Sequence, residues 1–307
     1  MRAWTAWAGP TKPGAPQGLL RLRRAATIIT QGRRRGLFMT LDASLIGFST
    51  IEKEVIKEFL RSCTIPLVRE FGDQLVLMGT GTVFQLEEHL WLVTAAHVIP
   101  DEEQLRELCI PMATAEKFLT LGNCILGRPN NTHLDLDVAI VLIQDTEFQR
   151  LVRQNWRVLD ESNTTRFDPT VSTYVVAGYP LETLAKTRMN WLASFTQVYT
   201  NPYPGGVDDA DHPMLRLNYS RSAPDSSGKP VGTPSLKGVS GASIWALTND
   251  NPGDLWTPSK ILKVVAIQVS FKHDAYIGAE WWTLVKEVLR RWTDGDALSG
   301  QSGKRPD

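Results

Sequence analysis

Short apolar segments rich in β-branched and aromatic residues follow one another from about residue 66 to residue 280. Gly, Pro, Asn and Asp separate these segments, and no long helical pattern alternates with them. This pattern predicts many short strands without alternating long helices. The expected fold class is therefore all-β, a barrel or a sandwich. The predicted strands are Leu75–Phe84, Leu90–Thr94, Phe118–Leu121, Val138–Ile143, Thr173–Ala177, Ser194–Tyr199, Met214–Asn218, Ser243–Ala246 and Val264–Phe271.

Helices are predicted at both ends of this region. Ser49 and Glu52 match a capping box, in which each side chain bonds the backbone amide of the other residue. Apolar residues then recur at helical spacing, and the helix should end before Pro66. A C-terminal helix is expected near Glu280–Trp292, with Trp282 on its packed face. Two shorter helical pieces are expected at Asp101–Leu108 and Thr146–Gln154.

The charge distribution divides the chain into an arm and a body. Residues 1–38 hold eight of the 33 basic residues and no acid, which leaves the rest with 25 basic against 33 acidic residues, a net charge of −8. Three interpretations of the arm stay open: a transit peptide, a tail that binds nucleic acid or anionic membrane, or sequence upstream of a start at Met39. We expect residues 1–38 to form a basic, disordered extension. One domain should span 39–293, with its two halves meeting near 155–170, and residues 294–307 should form a flexible tail.

Several classes of protein are disfavoured. The acidic body argues against a nucleic-acid-binding core. No apolar run approaches the roughly 18 to 20 residues of a membrane-spanning helix. The three cysteines form no CxxC pair, and their odd number is unlike the even sets of secreted domains. We therefore expect reduced thiols, a cytoplasmic location and no metal site.

Three motifs carry residues suited to acyl transfer. They are Thr94-Ala95-Ala96-His97-Val98, Asp137-Val138-Ala139-Ile140-Val141 and Gly238-Val239-Ser240-Gly241-Ala242-Ser243. A serine hydroxyl needs a base to take its proton, and a histidine titrates in the right range. A carboxylate fixes the histidine tautomer and stabilises its positive charge. Asp135 competes with Asp137 for that role, but Asp137 directly precedes the apolar strand.

These motifs resemble the three signatures of trypsin-like serine peptidases, especially the bacterial, disulfide-poor type. They occur in the family's order, His97, Asp137 and Ser240, with spacings of 40 and 103 residues. The resemblance covers about residues 66–292. It implies two packed six-stranded antiparallel β-barrels of the chymotrypsin type, the first carrying His97 and Asp137 and the second Ser240. The amides of Gly238 and Ser240 would form the oxyanion hole.

The implied activity is that of a serine endopeptidase that needs no cofactor, acts on protein or peptide substrates and serves an intracellular regulatory, stress or defence role. A regulatory protein is a further expected partner. Val239 departs from the family, because secreted members carry an aspartate before the serine. Two alternatives stay open: a pseudoprotease that binds peptides, and an adaptor tethered by its basic arm. An α/β-hydrolase is disfavoured, since the G-x-S-x-G motif requires glycine where Ala242 stands.

Overall fold

The fold consists mainly of strands, as seen in a computed structural model. It describes residues 48–293, except residue 73 and residues 113–117, 130–135, 187–189, 205–213, 225–228 and 249–255, and the backbone of residues 27–29 and 37–39. The helices are α1 (Thr50–Cys63), α2 (Glu102–Glu107), α3 (Thr146–Asn155), α4 (Pro258–Ile261) and α5 (Trp282–Thr293). The first strands are β1 (Thr27–Ile29), β2 (Leu37–Met39), β3 (Ile65–Phe71), β4 (Gln74–Leu86), β5 (His89–Ala95), β6 (Leu108–Pro111), β7 (Phe118–Thr120), β8 (Ile125–Gly127) and β9 (Val138–Ile143). The later strands are β10 (Tyr174–Gly178), β11 (Ala185–Lys186), β12 (Asn190–Leu192), β13 (Thr196–Thr200), β14 (Leu215–Tyr219), β15 (Ser222–Pro224), β16 (Pro230–Gly232), β17 (Ser243–Leu247), β18 (Leu262–Lys272) and β19 (Ala275–Trp281).

Two curled antiparallel sheets form the body of the molecule. The first sheet has the strand order β7-β6-β3-β4-β5-β9-β8. The second has the order β14-β19-β18-β17-β10-β13, and β2 adds to β13 in parallel. Each sheet is curled into a half-barrel. This is the chymotrypsin-like two-barrel architecture, so the predicted all-β fold class is confirmed.

The expected number of strands was wrong for the first sheet, which has seven strands rather than six. Its edge strand β8 is only three residues long, too short for a clear alternation of apolar and polar residues. The β3 strand was missed because Pro66 reads as a helix stop, whereas it lies second in a strand and opposite Thr80. β6, Leu108–Pro111, follows α2 directly and begins at Leu108, the last residue of the predicted helix.

Both terminal helices are present. Ser49 and Glu52 form the predicted capping box, and α1 ends at Cys63, before Pro66. The C-terminal helix begins at Trp282 and not at Glu280, because Glu280 is still paired with Ile267 across the sheet. The two short helices also appear where they were predicted, as α2 and α3.

A single aromatic-rich cluster joins the two sheets. Phe84 of the first sheet stacks on Trp282 of α5, with 4.2 Å between ring centroids. Phe59 of α1 meets Trp245 of the second sheet edge-on at 5.7 Å. All four side chains belong to one buried cluster. The two helices therefore cover the junction between the sheets, and burial of this cluster fixes the position of one sheet against the other.

The proposed domain limits stay a prediction. Within the arm, β1 pairs with β12 and β2 with β13, both in parallel. The rest of the arm and the tail from residue 294 lie outside the described residues. Every helix of the described ranges is too short or too polar to cross a lipid bilayer.

None of the three cysteines takes part in a disulfide. Cys63 and Cys109 are buried, and Cys124 is half-buried. Burial raises the pKa of the Cys63 thiol and of the Cys124 thiol to about 12. Since the thiolate is the reactive form, both side chains should be poor nucleophiles in the folded protein.

We expect iodoacetamide at pH 8 to label Cys63 and Cys124 roughly a hundredfold or more slowly in the folded protein than in the unfolded chain. Thiol counting by mass spectrometry under denaturing, non-reducing conditions should give three groups per chain. A count of one would reveal a disulfide and contradict the expected reducing compartment.

Candidate active site

His97 lies at the end of a buried strand of the first sheet. It occupies a 3₁₀ turn, Ala96–Val98, that directly follows β5. Val98 is buried and anchors the turn, whereas the imidazole is 49% exposed. The strand thus presents the side chain at the surface from a rigid base.

Asp137 meets His97 because of the strand register. β5 and β9 are antiparallel, with Ala95 opposite Val138, so Ala96 faces Asp137 and donates its amide to Asp137 O at 3.1 Å. His97 is the next residue in the turn. Asp137 Oδ2 lies 2.6 Å from His97 Nδ1, and Asp137 Oδ1 accepts the His97 amide at 3.0 Å. Both oxygens of the Asp137 carboxylate therefore bind His97. The structure brings together these two predicted residues, while the competing Asp135 lies outside the described residues.

The carboxylate changes the proton affinity of the imidazole. The hydrogen bond from Asp137 raises the pKa of His97 above its ordinary value of 6.5, its charge adds to this effect, and partial burial opposes it. Because the folded-state pKa lies above the unfolded value, the protonated pair stabilises the fold fully below about pH 6.5. That contribution is lost as the pH rises through the folded-state pKa.

Ser240 lies in a turn that two glycines shape. Gly238 and Gly241 have φ values of +88° and +91°, a region that side-chain-bearing residues rarely enter. A Cβ at Gly241 would overlap Thr80 O and Thr94 Oγ1, and it would come within 2.9 Å of the Ala95 amide nitrogen. The turn therefore packs directly against the end of the strand that carries His97.

The serine and the His–Asp pair are neighbours without a direct bond. Within the described residues, no hydrogen bond joins the Ser240 hydroxyl to His97. Catalytic hydrogen bonds are often long in ligand-free proteins and shorten when substrate binds. The structure thus places Ser240 in a turn that packs against the end of the strand before His97.

Two peptide groups of the turn are oriented by their carbonyls. Lys237 O accepts the Leu181 amide at 2.7 Å, and Val239 O accepts the Ala242 amide at 2.9 Å. In a trans peptide the N–H points away from the C=O, so the amides of Gly238 and Ser240 point away from these anchors. In the part of the chain that the structure describes, neither amide has a protein acceptor. Both are available to an external oxygen.

Val239 is buried and packs against the second sheet. It is 1% exposed, and a Cβ on Gly178 of β10 would come within 2.8 Å of Val239 Cγ1. Val239, which stands where secreted members of the resembling family carry an aspartate, therefore makes an apolar contact at the base of the turn.

Two further residues touch the site and were not predicted. Thr80 donates its hydroxyl to Gly238 O at 2.9 Å and its amide to Ser240 O at 2.8 Å. Glu280, which is 2% exposed, accepts the Asp137 amide at 3.4 Å. The sequence held no local signal for either contact, because the partners are 158 and 143 residues apart for the two side-chain bonds.

Two further histidines of the described residues pack against aromatic rings away from His97. His89 packs edge-on against Trp91, and His273 packs against Tyr219. His133 and His212 lie outside the described residues. The described residues contain no group of three or more His, Cys, Asp and Glu side chains that could hold a metal ion.

Comparison with known proteins gives a likeness in structure but none in sequence. No family model matches the chain, and no curated protein matches it. The chain is similar to the structure of a serine endoprotease from Yersinia pestis, with 14% sequence identity and a TM-score of 0.43. The match covers 78% of this chain but 65% of the length of that chain.

We expect the NMR titration of His97 to give a pKa above 6.5 in the wild-type protein. Asp137→Asn should lower the pKa to 6.5 or below, because it removes the main stabiliser of the imidazolium and leaves the opposing effect of burial. Asp274→Asn, an exposed change in the turn after β18, is the matched control and should leave the His97 titration unchanged. A wild-type value at or below 6.5, or one unaffected by Asp137→Asn, would refute the assigned pairing.

Proposed function

We propose that this protein is a serine endopeptidase that hydrolyses peptide bonds through an acyl-enzyme, with His97, Asp137 and Ser240 as its catalytic triad. The observation that carries the proposal is the 2.6 Å contact between His97 Nδ1 and Asp137 Oδ2, at the strand end against which the Ser240 turn packs. A carboxylate bound to Nδ1 leaves Nε2 as the basic nitrogen, the tautomer that a serine needs.

The reaction begins with proton transfer from Ser240 Oγ to His97 Nε2 as Oγ attacks the scissile carbonyl. Asp137 stabilises the imidazolium that forms. The imidazolium then gives its proton to the leaving amine, and the C–N bond breaks to leave an acyl group on Ser240. Water attacks this ester with His97 as the base, and the carboxylic acid product leaves. The three side chains return to their starting protonation states, so the cycle consumes only water.

The amides of Gly238 and Ser240 would bind the oxyanion that develops during both attacks. Their orientation is set before substrate arrives, by the hydrogen bonds on Lys237 O and Val239 O. Such preorganised donors are effective because they do not have to reorient in the transition state. Loss of one oxyanion donor lowers turnover on the order of 10²–10³-fold in enzymes of this kind.

The expected substrate is a protein or peptide. The cleft of such a fold can pair with an extended chain as an added strand, which suits main-chain recognition. No acid adjoins Pro234 in the sequence, in the region that lines the primary specificity pocket of the family, but the Glu182 carboxylate accepts the Ser235 amide at 3.1 Å. The region therefore gives no ground for excluding cleavage after Lys or Arg. Three cysteines without a disulfide support a reducing compartment such as the cytoplasm.

Catalytic activity should not require proteolytic cleavage that releases a new N-terminal amine. In secreted relatives, a new amine forms a buried ion pair with the acid before the serine, but Val239 cannot accept a charge. A buried amine without a partner would cost several kcal/mol. The Val239 packing and the carbonyl anchors support a turn that is held without processing. Control would then come from a regulatory protein or from access to substrate.

Ser240→Ala and His97→Ala should each lower turnover by roughly 10⁴–10⁶-fold in folded protein. A fluorophosphonate probe should label Ser240 in the wild type, with the site read by peptide mass spectrometry. Ser235→Ala, a serine just before the turn, is the control and should keep both signals. Near-normal hydrolysis by folded Ser240→Ala would end the proposal. A folded wild-type protein that binds peptides without cleaving them would instead be a pseudoprotease.

A chain that begins at Met39 should turn over a small ester at the rate of the full chain, whether its N-terminus is a free methionine, acetylated or extended. The reason is that no acid before Ser240 can use the amine. Steady-state kinetics on the matched set provide the measurement, with circular dichroism to confirm folding. A strict need for one exposed N-terminus, with a large gain in activity, would show that the turn is set by processing. Loss of folding without residues 1–38 would make the arm structural.

A further inference from the structure

Thr80 donates hydrogen bonds to two backbone carbonyls of the turn that carries Ser240. It lies in β4 of the first sheet and is fully buried. Its hydroxyl donates to Gly238 O at 2.9 Å, and its amide donates to Ser240 O at 2.8 Å. One residue of the first sheet thus holds two points of a turn that belongs to the second sheet.

The same residue is tied to the strand that carries His97. Thr80 O accepts the hydroxyl of Thr94 at 2.7 Å, and Thr94 lies three residues before His97. Thr94 is also fully buried, so solvent does not compete for the bond. Thr80 therefore connects the nucleophile turn with the strand of the base through three hydrogen bonds.

The Gly238–Val239 peptide is held at its N–H by Leu236 O at 3.0 Å, and Thr80 supplies the restraint at its carbonyl. Gly238 has a φ of +88° and no side chain of its own to limit the backbone. Glycine populates several backbone conformations at similar cost, so its peptide groups can rotate unless they are bonded. The Gly238 carbonyl belongs to the peptide that links Gly238 to Val239, and this peptide lies between the two that carry the Gly238 and Ser240 amides. Its rotation would displace those amides, and the stabilisation they supply depends on fixed donors.

We propose that Thr80 is a positioning residue, whose hydroxyl holds the Gly238 carbonyl and thereby keeps the Gly238–Ser240 turn in its competent conformation. The inference rests on the proposed function. Only the hydroxyl bond is specific to this side chain, because any residue other than proline would supply the amide bond to Ser240. The role is therefore separable by substitutions that change the side chain alone.

Thr80→Val is the decisive variant, since it replaces the hydroxyl with a methyl group of the same shape. Thr80→Ser keeps the hydroxyl and tests rescue. Thr82→Val is the matched control: Thr82 is a buried threonine of the same strand, and its hydroxyl accepts a bond from Ser243 at 2.9 Å, beyond the turn. All three are assayed as the full chain, with a p-nitrophenyl ester and with a fluorophosphonate probe.

We expect Thr80→Val to lower kcat and the labelling rate of Ser240 by roughly 5- to 100-fold, the range that an unsatisfied buried acceptor implies. KM should stay within about twofold, because substrate contacts are unchanged. The kcat of Thr80→Ser should stay within about threefold of the wild-type value.

Thr82→Val should lose about as much thermal stability as Thr80→Val and keep the wild-type kcat. Thr80→Cys, with its weak donor, should fall between wild type and Thr80→Val, and it replaces that variant if the valine protein does not fold.

The amide resonance of Gly238 gives a readout that does not need hydrolysis. It should shift or broaden in Thr80→Val and keep its wild-type position in Thr82→Val. Equal kcat and an unchanged Gly238 resonance in Thr80→Val would overturn the inference, as would an equal loss of kcat in both valine variants. If Ser240→Ala hydrolyses normally, the proposed function fails by itself, and the Gly238 resonance still decides whether Thr80 holds the turn.

Discussion

The packing of Gly241 against Thr80 and Thr94 is the contact on which the geometry of the site depends. At this point the turn that leads into β17 of the second sheet meets the Thr80 carbonyl and the Thr94 hydroxyl of the first sheet, with no side chain of its own between them. The Gly241 amide also donates to Gln268 O at 2.7 Å, which ties the turn back to its own sheet. Contacts between backbones leave little room for adjustment, so the serine is positioned more tightly than a long side chain would allow.

This contact persists only while the two sheets keep their relative position. The aromatic cluster around Phe84 and Trp282 supplies that restraint at the junction. Interiors of this kind are close-packed, and a missing group leaves a cavity rather than a smooth adjustment. Since a shift of about 1 Å in reacting groups can cost on the order of a hundredfold in rate, the proposed reaction would depend on packing far from Ser240. Neither sheet contains a complete site.

The sequence predicted the parts of this arrangement that have local signals. His97 and Asp137 each adjoin a strongly apolar strand, and the antiparallel register then brings them together. Gly238 and Gly241 flank Ser240 in the third motif, and both have positive φ in the structure. Thr80 and Glu280 carried no such signal, because their contacts cross from one sheet to the other. Glu280 also lies where strand β19 passes into α5, and a continuous apolar pattern hides such a boundary.

Val239 changes the kind of interaction that holds the nucleophile turn. A buried ion pair at this position would titrate and would respond to whatever frees the amine. The contacts described here are uncharged: an apolar side chain against Gly178 and hydrogen bonds from Thr80, Leu181 and Ala242. Such contacts do not change with protonation between about pH 5 and 9, since none of these groups titrates there. The turn therefore adds no titration of its own, and the pH response of the proposed active site would come from the pair of His97 and Asp137.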